Sequence, residues 1–190
     1  MKIGVLALQG AFREHCWMLE GCGVTAVEIR KPEELDGVNG LIIPGGESTT
    51  IGKLMIEWGL MDKIKLRVDQ KMAVYGTCAG MILLAKEIKD SNQPRLGIMD
   101  IVVRRNAFGR QRESFEADMT VPEFGAESLK ALFIRAPYIE EAGQDVKVMA
   151  RVHDKIVIAR QNNILVTAFH PELTKDDRIH QYFISMTKNA

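Results

Sequence analysis

The most informative segment of the sequence is Gly76-Thr77-Cys78-Ala79-Gly80, where the thiol of Cys78 is a candidate nucleophile. An apolar run leads into Gly76 and a helical pattern leaves Gly80, so a sharp strand-to-helix turn is expected at the thiol. A helix that begins there places partial positive charge beside the sulfur and favours the thiolate. The backbone N–H of Ala79 is free at that helix start and can donate to an oxyanion. The segment indicates a cysteine nucleophile, although packing glycines around a buried structural cysteine give the same pattern.

A base for this thiol is predicted at His170, which follows the apolar run 164–169 and precedes Pro171 and Glu172. Catalytic groups of open α/β sheets gather at the carboxyl ends of strands, and Cys78 and His170 both follow predicted strands. Glu172 can accept a hydrogen bond from the imidazole and fix its tautomer, as the third member of a triad does. Alone, His-Pro-Glu also fits a strand end before a solvated loop. Together with the cysteine turn, it predicts a Cys-His-Glu triad, with the acid last rather than before the histidine as in α/β-hydrolases.

The other cysteines and histidines are predicted to have structural rather than catalytic roles. Cys16 lies on a predicted helical face and Cys22 near the end of the same helix, where free cysteines are commonly buried. His15 and His180 fall in predicted helices and are assigned surface or packing roles. His153 falls in a predicted turn.

The loop Pro44-Gly45-Gly46-Glu47-Ser48 joins a predicted strand to a predicted helix and is a candidate binding loop. N–H groups in such loops bind anions, so the loop alone also fits a phosphate cradle. It lacks the lysine of a P-loop and the spacing of a dinucleotide site. Arg105 and Arg135 flank predicted strand ends, where a guanidinium can clamp a carboxylate. Taken alone, the two arginines are more simply explained as surface charge, and Gln9 is a further candidate after the first strand.

The elements that must position these residues alternate between strand and helix in the first half. Apolar runs typical of buried strands occupy residues 3–8, 24–29, 41–43 and 72–75, and helical spacing occupies residues 11–22, 49–58 and 80–85. This alternation requires crossover connections and a parallel sheet. Strand-like segments with few helices between them fill residues 98–169, which favours antiparallel pairing there. A last helix is predicted over 177–188, and one α/β domain with helices on both sheet faces is predicted for residues 1–190.

Composition and charge exclude several classes of protein. The chain has 190 residues, with 46% hydrophobic and 26% charged, which is typical of a globular domain. Its 25 basic and 25 acidic side chains give a formal net charge of zero, which weakly favours a protein that works in an assembly. Zero net charge also argues against binding to nucleic acid, despite a local basic cluster of Arg104, Arg105, Arg110 and Arg112. No apolar run approaches the ~18 residues of a membrane span, and no signal peptide is recognised. Three cysteines without a CxxC predict neither a disulfide framework nor a zinc site, and the cytoplasm is the expected compartment.

Taken together, Gly76-Thr77-Cys78-Ala79-Gly80 and His170-Pro171-Glu172 resemble the class I (triad) glutamine amidotransferases. Two segments are similar, within that class, to the glutaminase subunits of pyridoxal 5′-phosphate synthases: Pro44-Gly45-Gly46-Glu47-Ser48-Thr49-Thr50 and Arg105-Asn106-Ala107-Phe108-Gly109-Arg110-Gln111. Further matching segments span the chain: Leu8-Gln9-Gly10-Ala11, Arg13-Glu14-His15, Ser114-Phe115-Glu116, Phe133-Ile134-Arg135-Ala136-Pro137 and His170-Pro171-Glu172-Leu173-Thr174.

The resemblance implies a flavodoxin-like fold of three layers (αβα) and the hydrolysis of L-glutamine to L-glutamate and ammonia. It implies that Cys78 attacks the side-chain amide to form a glutamyl thioester. His170 then protonates the departing ammonia and activates water, and Glu172 orients His170. The ammonia is expected to pass to a separate synthase subunit, a (β/α)₈ barrel in a hetero-oligomer, which makes pyridoxal 5′-phosphate. No cofactor or metal is expected on this chain.

The resemblance also implies a set of substrate contacts, which are Gly46, Glu47, Ser48, Arg105, Ile134 and Arg135. The Gly46 N–H is expected to join the Ala79 N–H in an oxyanion hole. Arg105, Ile134 and Arg135 are expected to hold the amino-acid end of glutamine.

Two other functions fit the same architecture. A cysteine hydrolase or peptidase of the DJ-1 type has a similar fold and turn, but neither His-Pro-Glu nor Pro-Gly-Gly-Glu-Ser is expected in it. A flavodoxin-like binding module would hold Cys78 as a structural residue. Ammonia release from L-glutamine that requires Cys78 favours the amidotransferase, whereas peptide cleavage or no activity favours one of the others.

Overall fold

The structure is a computed structural model that describes residues 1–105 and 114–188. Within these residues the chain forms twelve β-strands: β1 (Lys2–Leu6), β2 (Thr25–Ile29), β3 (Gly40–Ile43), β4 (Ala73–Thr77), β5 (Ala85–Ile88), β6 (Met99–Arg104), β7 (Ser114–Met119), β8 (Leu129–Ile134), β9 (Tyr138–Ala142), β10 (Lys147–Val152), β11 (Lys155–Gln161) and β12 (Ile164–Thr167). The α-helices in the same residues are α1 (Phe12–Gly21), α2 (Ser48–Glu57), α3 (Leu60–Asp69), α4 (Ala79–Leu84) and α5 (Arg178–Lys188). Short 3₁₀ helices occupy Pro32–Gly37, Pro122–Phe124 and Pro171–Leu173.

One mixed sheet holds ten of these strands in the order β2-β1-β3-β4-β12-β11-β9-β6-β5, with β10 paired to β11. The strands from β2 to β12 in this order pair in parallel, and so do β5 and β6. The strands β9, β10 and β12 all pair antiparallel with β11, and β9 pairs antiparallel with β6. The strands β7 and β8 form a separate two-stranded antiparallel sheet. The predicted sheet, mostly parallel with antiparallel additions in the second half, is confirmed.

Helices cover both faces of the sheet, as predicted. Tyr75 and Gly76 are neighbours in β4, so their side-chain positions point to opposite faces. The Tyr75 ring packs edge-on against His15 of α1, at 6.3 Å between ring centroids, and contacts His180 and Phe183 of α5. A Cβ on Gly76 would lie 2.6 Å from atoms of α4, against which α2 packs. Therefore α1 and α5 lie on one face and α4 and α2 on the other.

The carboxyl ends of three central strands meet at one edge of the sheet. Every residue of β3, β4 and β12 is buried. Reactive groups that a ligand can reach must therefore lie beyond the ends of these strands. The register pairs Ile43 of β3 with Gly76 of β4, and Thr77 of β4 with Thr167 of β12. The segments that follow these strands therefore emerge side by side. None of the helices among the described residues is long and apolar enough to cross a membrane.

Four elements, α3, α4, β5 and β9, differ from the sequence-based prediction. The helix α3 was not predicted; it is separated from α2 by Gly59, whose left-handed φ of 68° ends one helix and starts the next in a new direction. The helix that follows Cys78 ends at Leu84 rather than including Ala85, whose extended backbone (ψ 140°) begins β5. The strand β9, which joins β6 to β11, was also missed.

Candidate active site

Cys78 occupies a strained turn between β4 and α4. Its φ of 47° and ψ of −100° are unusual for a residue with a side chain, and strain of this kind clusters at functional sites. The Cys78 N–H donates to Thr167 O at 2.8 Å, which ties the turn to β12. A Cβ on Gly80 would lie 2.1 Å from Ile43 O, so only glycine allows α4 to approach β3 this closely. The small residues around Cys78 are thus required by the turn.

His170 and Glu172 are held together by the 3₁₀ helix Pro171–Leu173, which follows β12. The His170 backbone N–H donates to Leu132 O of β8 at 2.9 Å and fixes the main chain. The imidazole Nδ1 lies 2.7 Å from Glu172 Oε1, and both side chains are buried. Since the carboxylate accepts at Nδ1, the nitrogen left to face other groups is Nε2.

The imidazole of His170 lies near Cys78 as well as against Glu172. Burial alone would lower the pKa of His170, but hydrogen bonds and charge from Cys78 and Glu172 raise this pKa to about 10. An imidazole with this pKa carries a proton at neutral pH. Gly45 is packed between the two groups: a Cβ there would lie 2.3 Å from His170 Cε1 and 3.4 Å from Cys78 Cβ. The structure thus brings the three residues of the predicted triad to one place.

A cavity of about 380 Å³ opens over Cys78 and His170. Its lining also contains Ile82 and all of the predicted substrate contacts, which are Gly46, Glu47, Ser48, Arg105, Ile134 and Arg135. Two residues of the predicted triad and oxyanion hole do not line the cavity. Glu172 is buried behind His170, and Ala79 is the first residue of α4. The cavity therefore has a sulfur and an imidazole at one side and two guanidinium groups among its walls.

The loop after β3 is braced by residues that follow β1. Gly45 O accepts a hydrogen bond from the Ala11 N–H at 3.0 Å, and Gln9 Oε1 accepts one from the Glu47 N–H at 2.7 Å. A Cβ on Gly46 would lie 2.6 Å from Gln9 Oε1. The predicted candidate Gln9 thus holds the backbone of this loop.

The carboxylate of Glu47 caps α2. It accepts hydrogen bonds from the N–H groups of Thr49 and Thr50 and from the Thr50 hydroxyl at 2.7 Å. These bonds, led by that from the Thr50 side chain, lower the pKa of Glu47 to about 2 despite the opposing effect of burial. Glu47 therefore lines the cavity as an ionised residue whose side chain is held at the helix start.

Gln93 is a residue of this region that the sequence analysis missed. It is buried, and its Oε1 accepts from Arg105 Nη1 at 2.6 Å and from the hydroxyl groups of Ser48 and Thr49 at 3.3 and 3.2 Å. It therefore links an arginine of the cavity to the start of α2. Only polar composition in the loop before β6 could have indicated it.

His15 was also missed: it is fully buried on α1 and its Nε2 lies 3.4 Å from Glu172 Oε2. The signal that could have indicated its burial is its spacing of four residues from Leu19, the other buried residue of α1. The same burial holds for His180 of α5.

The remaining cysteines lie away from the cavity. Burial, with help from nearby carboxylates, raises the pKa of Cys16 and of Cys22 to about 11, so both are protonated at neutral pH. His153 lies in an exposed turn between β10 and β11, as predicted. Of the motif that begins at Arg105, residues 106–111 lie outside the described residues.

The substitution Gly45→Ala is expected to lower activity of the site by about 100-fold or more, because the new methyl group would overlap the His170 ring. The control is Gly21→Ala, since a Cβ at Gly21 would have no atom within 4 Å. Turnover and melting temperature of both variants should be measured with the substrate proposed below. Wild-type turnover in Gly45→Ala would show that the imidazole need not stand where the structure places it.

Comparison with solved structures defines the class of the protein. A structure described as a glutamine amidotransferase matches with a TM-score of 0.94 and 52% identity, covering 98% of both chains. The structure of PurLQS from Thermotoga maritima matches at 0.72 with 14% identity over 97% of both chains, which shows a shared fold alone. The protein has the architecture of the glutamine amidotransferases.

The family model described as the SNO glutamine amidotransferase family matches residues 5–189. The chain is 62% identical over 184 residues to the pyridoxal 5′-phosphate synthase subunit PdxT of Carboxydothermus hydrogenoformans, covering 97% of this chain and 96% of that one. It is 61% identical over 190 residues to the subunit of the same name from Pelotomaculum thermopropionicum, covering 100% and 97%. The chain belongs to the SNO glutamine amidotransferase family, and the resemblance predicted from sequence is confirmed.

Proposed function

We propose that the chain, acting as one domain over residues 1–190, hydrolyses L-glutamine to L-glutamate and ammonia by a Cys78-His170-Glu172 triad. The observation that carries this proposal is that Cys78 and His170 line the same cavity while Glu172, behind them, lies 2.7 Å from Nδ1 of that imidazole. Membership of a glutamine amidotransferase family supplies the substrate class. A flavodoxin-like binding module would have no need of a strained cysteine beside an imidazole that is held by a buried carboxylate.

In the first step, the sulfur of Cys78, whose proton His170 has accepted, attacks the side-chain amide carbon of glutamine. The electron pair of the C=O bond moves to oxygen, and the N–H groups of Gly46 and Ala79 stabilise that oxyanion. His170 gives its proton to the nitrogen, which leaves as ammonia when the C–N bond breaks and the C=O bond re-forms. The product is a glutamyl thioester on Cys78.

In the second step, water attacks the thioester while neutral His170 takes its proton. The thioester C–S bond breaks with its electron pair going to sulfur, glutamate leaves, and the Cys78 side chain is freed beside the protonated His170. Throughout both steps Glu172 accepts from Nδ1–H of His170, which keeps Nε2 directed at the reacting atoms and stabilises the imidazolium.

The cavity walls match the two ends of glutamine. Arg105 and Arg135 supply positive charge for the α-carboxylate, and Ile134 supplies backbone and apolar contact beside Cys78, whose Sγ lies 4.0 Å from Ile134 O. Gly46, Glu47 and Ser48 line the side nearer α2. A charged amino acid is thus held at one end while its amide reaches the sulfur.

The ammonia is proposed to pass to a synthase subunit. Relatives at 62% and 61% identity over nearly their whole length are named as pyridoxal 5′-phosphate synthase subunits. We therefore propose that this chain works in a hetero-oligomer with a (β/α)₈-barrel subunit that makes pyridoxal 5′-phosphate in the cytoplasm. A glutaminase without such a partner would release its ammonia to no use.

The test is to incubate the protein with L-glutamine, with and without the barrel subunit, and to measure glutamate and ammonia. Acid quenching during turnover, followed by mass spectrometry of peptides, should find a glutamyl group on Cys78. Peptide cleavage without deamidation would favour the DJ-1-type alternative. No activity even with the partner would favour a binding module, and either result would contradict the proposal.

The substitution Arg105→Gln is expected to raise KM for glutamine by about 10- to 100-fold with a much smaller effect on kcat, because a hydrogen bond to a charged substrate group is lost in ground and transition states alike. Arg104→Gln is the matched control. The guanidinium of Arg104 pairs instead with Glu140, at 3.1 Å, and with Asp90 on the surface. Steady-state kinetics of both variants decide the matter, and equal KM values for the two would remove Arg105 from the substrate site.

A further inference from the structure

A buried polar chain continues behind the proposed triad. Glu172 Oε1 accepts from His170, whereas Glu172 Oε2 is buried and has no hydrogen-bond partner among the described residues. Nε2 of His15 lies 3.4 Å from this oxygen. On its other side, His15 Nδ1 lies 2.8 Å from Nε2 of His180. The mechanism above assigns nothing to either histidine.

Burial disfavours the charged form of both of these histidines. Burial, followed by the charges of His180 and His170, places the pKa of His15 well below its usual value. Burial lowers the pKa of His180 to about 4, with Asp177 acting weakly in the opposite direction. Each ring therefore carries one N–H, and the position of that hydrogen decides what His15 offers to Glu172.

The surroundings select one tautomer. If His15 carried its hydrogen on Nδ1, its Nε2 could accept from the Thr77 hydroxyl, but the same lone pair would lie 3.4 Å from the oxygen of Glu172. His180 would then hold its own hydrogen on a buried Nδ1 that has no partner among the described residues. If His15 carries it on Nε2, that N–H donates to Thr77 Oγ1 at 3.1 Å and also lies 3.4 Å from Glu172 Oε2. His180 Nε2–H then donates to His15 Nδ1. The second arrangement avoids both a lone-pair repulsion and a buried unpaired donor.

We propose that His15 is a positioning residue of the triad, which donates from Nε2–H to Glu172 Oε2 and is itself oriented by His180. The inference rests on the proposed function of Cys78, His170 and Glu172. One carboxylate oxygen is then held by the catalytic imidazole and the other by a residue of α1. With both oxygens held, the carboxylate cannot rotate away from His170, and the imidazole keeps the orientation that the proton transfers require.

Two substitutions of His15 separate positioning from packing. In His15→Gln, the amide nitrogen can occupy the place of Nε2 and still donate to Glu172. In His15→Asn, the shorter side chain can accept from His180 but does not reach Glu172. Both variants remove a buried ring, so a purely structural role would affect them alike. The exposed His153→Asn is the control for the chemical change, since asparagine tolerates the left-handed backbone (φ 48°) at that turn.

We expect His15→Asn to lose about 10- to 100-fold in kcat with an unchanged KM for glutamine, and His15→Gln to recover most of the loss. Melting temperatures of the two variants should fall together. Equal kcat values for the two variants, or a loss confined to KM, would overturn the proposal.

A measurement on the unmodified protein tests the same point if a variant fails to fold. Nitrogen-15 chemical shifts of the histidine rings, measured at neutral pH, should show the hydrogen of His15 on Nε2 and that of His180 on Nε2. A hydrogen on Nδ1 of His15 would refute the inference. This readout does not depend on activity, so it fails separately from the proposed glutaminase, which the Cys78 variant tests.

Discussion

Replacement of Cys78 by alanine is expected to lower glutamine hydrolysis by about 10⁴- to 10⁶-fold, because removal of a nucleophile leaves only binding and oxyanion stabilisation. No other described thiol lies in the cavity, and the raised pKa values of Cys16 and Cys22 keep those thiols protonated. Alanine keeps a Cβ at the strained turn, so the fold should be retained. Ammonia release is the measurement, made with the synthase subunit present.

The control for this loss is Cys16→Ala, which removes a thiol from α1 outside the cavity and should leave turnover unchanged. An alkylating reagent added to the wild-type protein should stop deamidation as Cys78 becomes modified. If Cys78→Ala still releases ammonia at the wild-type rate, the proposed nucleophile and the thioester are both wrong.

The parallel half of the sheet was predictable because short segments of the sequence indicate each of its strands. Apolar runs bounded by glycine mark β1, β3 and β4, and the helices between them force parallel pairing. The helix α3 was missed although Leu60, Ile64 and Val68 recur every four residues, since its remaining positions are mostly charged. The strand β5 was missed because it follows α4 with no turn residue between them.

The candidate site was predictable only where its chemistry is local. Cys78 sits between glycines and His170 stands two residues from Glu172, so each motif is visible in a short segment. His15 contacts His180 across 165 positions of sequence, and Gln93 contacts Ser48 across 45. The neighbouring sequence of His15 does not show that the fold brings it beside Glu172, and that of Gln93 does not show that the fold brings it beside Arg105. Residues that act through a neighbour therefore needed the structure.

Replacement of Glu172 by glutamine is expected to lower kcat on the order of 10³- to 10⁴-fold, since an amide cannot hold and charge-stabilise the imidazolium as a carboxylate does. The exposed Glu57→Gln on α2 is the matched control, with no expected effect on turnover. Equal kcat values for these two variants would show that the carboxylate at 172 has no part in the reaction.

The same substitution should change how stability depends on pH. The folded-state pKa of His170, about 10, lies above its reference value of 6.5, so the folded state binds this proton more tightly than the unfolded state does. The contribution of this proton to the free energy of unfolding is therefore fully present below pH 6.5 and is lost as the pH rises through about 10. Without the charge of Glu172 the pKa of His170 falls, because burial then opposes the imidazolium with less compensation. We expect the free energy of unfolding to decline less between pH 6.5 and 10 in Glu172→Gln than in wild type, as measured by urea denaturation. An unchanged slope would mean that Glu172 does not set the charge of His170.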